Sequence, residues 1–346
     1  MPRRPSGNKR LSDQQKRRIE AIRERRMARK QAKNAEAAAQ HEEQGLGEPR
    51  EGLVVAHYGL NVAVASRDLP EYRCAVRETL PENPVCGDRV MWRAGQNEQG
   101  VIEAIQPRHN VLRRPGPYNR LQTLAANLDR LLVTTSAIQF NPFLVDRYLV
   151  AASAANIEPI IILNKMDLIG EDEALDDLAE LLAPYQEMAY EIVPVSATSG
   201  QGMGELDDIL SSGLSAFVGQ SGVGKSSLAA HWIEDESLRI GEVNAHTGKG
   251  RHTTTVAHLY MLESGMGGII DSPGVRAFGL HGLQADEVIL HFRDLAPLAQ
   301  QCHFNDCKHE QEPGCAVLEA VENEIADAIR LESYHRILDG MLEESD

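Results

Sequence analysis

At 346 residues the chain is too long for one ordinary domain and predicts two or three. Hydrophobic residues make up 42% of it, enough for packed cores, and with no run of eighteen apolar residues a membrane span is not expected. The formal net charge of −16 would argue against a nucleic-acid partner only if it were evenly spread, and it is not.

Residues 1–33 hold thirteen Lys or Arg against three acids, an excess of +10 that leaves −26 for the remainder. Ile19, Ile22 and Met27 are the main apolar side chains there, too few to build a core. Residues 1–45 are therefore expected to be a basic extension, disordered or a frayed solvated helix, that could order on phosphate. A solubilising tail without a partner is the alternative. Met1-Pro2-Arg3-Arg4-Pro5 leads into charge rather than an apolar stretch, which argues against a secretory signal.

From Gly52 to about Arg114 the pattern changes to short β-rich runs, at 53–56, 61–64, 72–76, 88–92 and 100–105. Five such strands between polar or Gly/Pro turns suit a small barrel over residues 46–115, of a kind whose face and loops often bind oligonucleotides. Arg108, Arg113, Arg114 and Arg120 could meet phosphate there or simply solvate a linker. Trp92 and Tyr72 read as core before base-stacking platforms, and Cys74 and Cys86 as packed thiols. Pro115-Gly116-Pro117 is expected to be a linker.

Leu131-Leu132-Val133 then opens a βα alternation, with helical patterns at 142–156, 172–184, 203–211 and 225–234. This predicts a mostly parallel sheet with helices on both faces over residues 116–280. The strand Ile160 to Leu163 ends in Asn164-Lys165-Met166-Asp167. A carboxylate accepts two N–H bonds in a planar fork, so Asp167 matches the ring N–H and exocyclic amine of guanine, a pair that adenine lacks. Ser196-Ala197-Thr198 follows the next apolar run, where a backbone N–H could meet the guanine carbonyl.

The phosphate loop comes later: Gly219, Gln220, Ser221, Gly222, Val223, Gly224, Lys225 and Ser226, preceded by the apolar Leu214 to Val218 and continued by Ser227. Its glycines let backbone N–H groups curl around phosphates, Lys225 reaches the β/γ-phosphates, and the Ser226 hydroxyl can ligate Mg²⁺. Base reader before phosphate loop is a permuted order. His246 to Thr255 then combine glycines, basic residues and hydroxyls, suiting a loop that closes on metal and γ-phosphate. Thr254 is the expected Mg²⁺ ligand. Asp271-Ser272-Pro273-Gly274 ends a further apolar run, where Asp271 can hold Mg²⁺ through water and the Gly274 N–H can touch γ-phosphate. Val275 stands where many such enzymes carry a water-orienting Gln. Hydrolysis should be slow unaided, with His252 the internal candidate for the missing group, unless that histidine only contacts RNA or caps its loop.

Within residues 281–346, Cys302-x4-Cys307-x-His309-x5-Cys315 is a Cys₃His set with no position left for water, which argues for a structural zinc site. His303 is a rival imidazole, awkwardly adjacent to Cys302. Helices are expected over 316–324 and 324–342, with an apolar stripe of Ile325, Ile329, Leu331, Tyr334, Ile337, Leu338 and Leu342 packing on the zinc lobe.

In their combination these motifs resemble the circularly permuted GTPases of the ribosome small-subunit-dependent GTPase A family, over roughly residues 50 to 340. The resemblance implies an N-terminal OB-fold barrel, an α/β circularly permuted P-loop GTPase domain and a small C-terminal zinc domain with helices. It implies a cytoplasmic, monomeric enzyme converting GTP to GDP with Mg²⁺ and one structural Zn²⁺, its partner being the small ribosomal subunit with its 16S rRNA, in late subunit maturation. A nucleotide-gated RNA-binding factor with incidental hydrolysis is the rival reading, and a metal-delivery GTPase a more distant one.

Overall fold

The computed structural model describes residues 46–59, 61–66, 69–115, 121–170, 172–233, 257–262, 265–271, 279–280 and 282–343. The basic extension and the segment 234–256 lie outside these residues. One compact unit comprises the described residues up to Leu53 with Tyr58–Pro84 and Arg89–Gln106, and the other comprises Val54–His57, Val85–Asp88 and those from Pro107 onward.

The first unit is built on β1 (Pro49–His57), β2 (Asn61–Ser66), β3 (Leu69–Val76), β4 (Arg89–Ala94) and β5 (Gln99–Ile105). Their order β1-β2-β3-β5-β4 closes on itself through antiparallel β4–β1 pairing, while β3 and β5 run parallel. This is the five-stranded OB-type barrel. Trp92 is fully buried, and two glycines make room for it: a Cβ at Gly52 would lie 2.6 Å from its Nε1, and one at Gly100 2.9 Å from its ring. Tyr72 packs beside it, with ring centroids 4.9 Å apart, so the pair serves the barrel core.

In the second unit, the hairpin β6 (Val111–Pro115) and β7 (Leu121–Ala126) was not anticipated. Pro115 closes a strand rather than opening a linker, as an edge position without need of an N–H permits. Arg108, which could meet phosphate or solvate a linker, pairs its Nε with the fully buried Asp88 at 2.7 Å.

The main sheet of this unit runs β10 (Glu191–Pro194), β9 (Glu158–Asn164), β8 (Arg130–Ser136), β11 (Gly213–Val218), β13 (Gly267–Asp271) and β12 (His258–Met261). All neighbours are parallel except β12, which joins antiparallel at the edge. Leu132, Ile160, Ile162, Phe217 and Ile269 face a core shared with α3 (Met203–Leu210) and α4 (Lys225–Ala229). The alternating Leu131, Val133 and Ile161 are buried too, so the opposite face is covered, and α1 (Pro142–Ala154) packs against β8 and β9. Helix α1 starts at Asn141, whose side chain accepts from the Leu144 N–H, with Pro142 in the first turn. It stops where Asn156 turns left-handed (φ 54°) and Ile157 N–H bonds back to Ala152 O at 2.9 Å.

The helical pattern at 225–234 shortens to α4. His231 and Trp232 bond three residues back rather than four, and the Trp232 indole donates to Asp207 of α3 at 2.5 Å, drawing the chain into a turn. Further on come α2 (Asp172–Glu187), α5 (Leu295–Ala299), α6 (Ala316–Glu322) and α7 (Ala328–Glu343). The expected stripe on the last helices is only partly core: Leu331, Tyr334 and Ile337 are buried, but Ile325 is 75% exposed and Ile329 37%. Glu324 adopts φ 58°, and this left-handed residue ends α6 and throws Ile325 outward. Among the described residues no helix is long and apolar enough to cross a membrane.

Candidate nucleotide site and Cys₃His centre

The site assembles at the carboxyl ends of β8, β9, β10, β11 and β13, where open parallel sheets place their ligand crevices. Asn164 is the last residue of β9, and Lys165 then turns left-handed at φ 68°, aiming the following 3₁₀ turn Met166–Leu168 back across the strand ends. Met166 anchors that turn against Leu163, Leu178 and Leu182. The fully buried Ser196 Oγ donates to Asp167 Oδ1 at 2.5 Å and accepts from the N–H groups of Thr198 (3.3 Å) and Ser199 (3.0 Å). The carboxylate is thereby held from behind.

The phosphate loop leaves β11 at Val218 and enters α4 at Lys225. Gly219 has φ 138° and sits so near Thr134 O that a Cβ would come within 2.1 Å of it; Gly224, at φ 96°, would place a Cβ 2.3 Å from Asn164 Nδ2. Only glycine suits either position. Val223 is buried between the exposed Gly222 and the half-buried Gly224, and Ser226 and Ser227 lie on the first turn of α4. Lys225 Nζ donates to Gln220 O at 2.6 Å, folding back over the loop mouth.

Base-reading and phosphate loops are fastened together. Asn164 Nδ2 donates to Val223 O at 2.8 Å, Asn164 Oδ1 accepts from Ala197 N–H at 3.2 Å, and Lys165 Nζ donates to Gly222 O at 2.7 Å. Asn164 thus clamps three loops, a role that the motif alone did not reveal. The Ala197 amide, expected to meet a base, has an intramolecular acceptor. Asp271 closes β13, half-buried, in register with His258. His252, Thr254 and Gly274 lie outside the described residues.

Sequence reasoning also missed Thr134, whose carbonyl Gly219 packs against, and Tyr148 on α1. Burial pushes the Tyr148 hydroxyl up, opposed by Arg147 and the Gly219 backbone. The one available signal was the hydroxyl run Thr134, Thr135 and Ser136 directly after the apolar Leu131 to Val133.

In the C-terminal lobe, the ligand atoms of Cys302, Cys307, His309 and Cys315 all lie within 4.8 Å of one another, and His303 is outside that group. Cys302 and Cys315 sulfurs are 3.9 Å apart, and His309 Nδ1 is 3.5 Å from Cys302 Sγ and 3.3 Å from Cys315 Sγ. A tetrahedral zinc with ordinary Zn–S and Zn–N bonds needs about 3.8 and 3.6 Å, so these residues fit one. His309 reaches its place through φ 61°, and burial pushes its imidazole down. Burial, reinforced by the Cys315 and Cys302 thiols, pushes the Cys307 thiol up to about 12; a metal ligand must be the thiolate, so binding there displaces a proton. Glu312 templates the ligand turn, accepting from the N–H groups of Lys308 (2.8 Å), Glu310 (2.9 Å) and Gln311 (3.1 Å). Those bonds, Lys308 foremost, hold its carboxyl at about 2.

Comparison with known proteins agrees with this geometry. A family profile described as RsgA GTPase matches residues 105–281. The "Small ribosomal subunit biogenesis GTPase RsgA" of Haemophilus influenzae (strain 86-028NP) is 40% identical over 341 residues, covering 97% of this chain and 96% of that one. The chain belongs to the RsgA GTPase family. The RsgA protein of Pectobacterium carotovorum subsp. carotovorum (strain PC1), under the same description, is 39% identical over 340 residues, 96% of this chain and 95% of its own. Among solved structures, YjeQ from Thermotoga maritima aligns with a TM-score of 0.67 at 30% identity, over 85% of this chain and 99% of that one. YloQ, described as a circularly permuted GTPase, aligns at 0.69 over 86% and 96%, and its 24% identity speaks to the fold alone. As an RsgA-family protein the chain is a GTPase, with GTP and GDP as its nucleotides.

Proposed function

We propose that this GTPase assists late maturation of the small ribosomal subunit, binding the subunit through 16S rRNA and hydrolysing GTP when the subunit stimulates it. The protein acts as a monomer in the cytoplasm, where its substrate particle assembles. Relatives aligned along nearly the whole chain are named for small ribosomal subunit biogenesis, which supports this assignment.

The reading of the site rests on the Asn164 clamp, which brings a guanine reader and a phosphate cradle into one crevice. Asp167 takes the two guanine N–H groups, steadied by Ser196, and Ala197 shares its N–H between Asn164 and the base carbonyl. Val218 to Ser227 hold the phosphates, with Lys225 swinging from Gln220 O to the β/γ-oxygens. Mg²⁺, when bound, neutralises charge developing on those oxygens. Ser226, Thr254 and Asp271 would hold it, and the Gly274 N–H would meet the γ-phosphate. Val275 can neither donate nor accept a hydrogen bond to water, so His252 supplies that function and the unaided rate is low. Cys302, Cys307, His309 and Cys315 would hold one structural Zn²⁺, which would stabilise the C-terminal lobe.

Hydrolysis of GTP beside ATP, with and without purified small subunits, tests the reading. GTP-selective stimulation is expected. A rate unmoved by the subunit would leave a guanine-nucleotide switch whose partner lies elsewhere.

A further inference from the structure

Asn164 ties its loops together with only part of its hydrogen-bonding capacity. A side-chain amide carries two N–H donors and a carbonyl oxygen with two lone pairs. One N–H goes to Val223 O, and one lone pair receives the Ala197 N–H at 3.2 Å, the long end of the range for such a bond. Once a guanine carbonyl shares the Ala197 N–H, Asn164 Oδ1 needs another donor if the clamp is to hold while the base is read.

The fold sets one beside it. Ser136, the last residue of β8, is the direct register partner of Asn164, the last residue of β9, and neighbouring strands lie about 4.8 Å apart. Alternate residues of a strand share a face. Leu132 and Ile162 face the core with α3 and α4, so Ser136, four positions on, and Asn164, two positions on, stand side by side on that face. Ala137 and Leu163 turn to the opposite core, as the alternation requires. Ser136 is 2% exposed, and its Oγ has no hydrogen-bond partner among the described residues. It also stands at the N-cap of the 3₁₀ turn Ala137–Gln139, where a serine hydroxyl ordinarily accepts from the N–H groups of the turn, and makes no such bond. A buried hydroxyl without a partner costs stability, and a partner gained when the site fills accounts for its retention.

We propose that Ser136 is a positioning residue for guanine recognition: its hydroxyl donates to Asn164 Oδ1 when the base carbonyl draws the Ala197 N–H away, so the clamp between base-reading and phosphate loops survives nucleotide binding. The proposal rests on Asn164 to Asp167 and Ala197 being the guanine site. It ties the Ser136 hydroxyl to the base carbonyl and not to the phosphates.

The test measures the affinity of the full-length chain for GDP, for 6-thio-GDP, whose sulfur is a poor acceptor for an N–H, and for inorganic triphosphate, beside the melting temperature of the nucleotide-free protein. Ser136→Ala should weaken GDP binding about two- to tenfold, the range of one neutral hydrogen bond. It should weaken 6-thio-GDP less and leave triphosphate unchanged, and the nucleotide-free melting temperature should hold or rise because the unpartnered hydroxyl is gone. Ser136→Cys, whose thiol is a weak donor, should fall between the alanine variant and the wild type. Wild-type affinity for GDP, equal losses for GDP and 6-thio-GDP, or a lowered melting temperature without selective loss of GDP would reduce Ser136 to a structural role and overturn the proposal. If the alanine variant does not fold, the cysteine variant decides alone, and the absence of a GDP-selective loss overturns it. Wild-type protein that holds GDP no better than ADP would instead overturn the site assignment on which the proposal stands.

Discussion

At Gly224 the demands on a single residue are most severe, because a methyl group would meet Asn164 Nδ2 at 2.3 Å and the φ of 96° is itself unfavourable for an L side chain. Gly224→Ala should push Asn164 off Val223 O and open the clamp between the two loops. GDP affinity is expected to fall tenfold or more, about 1.4 kcal/mol, while the fold persists, as checked by fluorescent-GDP titration beside circular dichroism. Ser196→Ala asks a subtler question. It removes the donor behind Asp167 and the acceptor for the Thr198 and Ser199 amides, so guanine binding should weaken several-fold with affinity for inorganic triphosphate unchanged. Equal weakening of both ligands would move Ser196 from base recognition to general scaffolding. His252→Ala separates chemistry from binding: stimulated turnover should nearly vanish while GTP affinity holds, and retained turnover would remove that histidine from the mechanism.

The ligand turn around the Cys₃His centre depends on Glu312 as well as on its four ligands, since one carboxylate collects three backbone N–H groups from the segment between His309's neighbours and Cys315. Glu312→Ala should leave the ligands intact but loosen the turn, so zinc is lost faster to a chelator, measured by a colorimetric metal indicator, with GTP affinity unaffected. Zinc release at the wild-type rate would show that the four ligands alone define the turn. Glu312 was not legible in the sequence, whereas the ligands were, because metal-binding residues are marked by their spacing and a hydrogen-bonding template is not. The same contrast runs through the fold. Barrel strands and the βα alternation declared themselves by period and punctuation. The β6–β7 hairpin did not, because Pro115-Gly116-Pro117 reads as a linker whether or not the flanking strands pair. Ile325 and Ile329 fitted the helical stripe, and the left-handed Glu324 that breaks it left no local mark. Nothing in the sequence singles out Arg330, since its partners Asp146 and Asp294 lie 184 and 36 residues away.

Across the whole chain the charge is divided, with +10 in residues 1–33 and −26 in the remainder. An acidic body is repelled by an RNA surface, and a basic extension offsets that repulsion by displacing the counterions condensed on phosphate. Each phosphate neutralised adds about 0.7 to 0.9 to the slope of log affinity against log salt, so the extension's contribution can be measured without knowing which RNA element it touches. Deleting residues 1–33 should therefore lower affinity for the small subunit most strongly near 50 mM salt, less so near 200 mM, and flatten the slope between them. A merely solubilising tail predicts parallel lines for the full and shortened chains, with aggregation rather than affinity changing. Intrinsic GTP hydrolysis without subunits provides the internal control, because none of the nucleotide-site residues lies in the deleted segment and that rate should not move. Parallel salt dependences with an unchanged intrinsic rate would assign RNA binding to the folded units alone, despite their net negative charge.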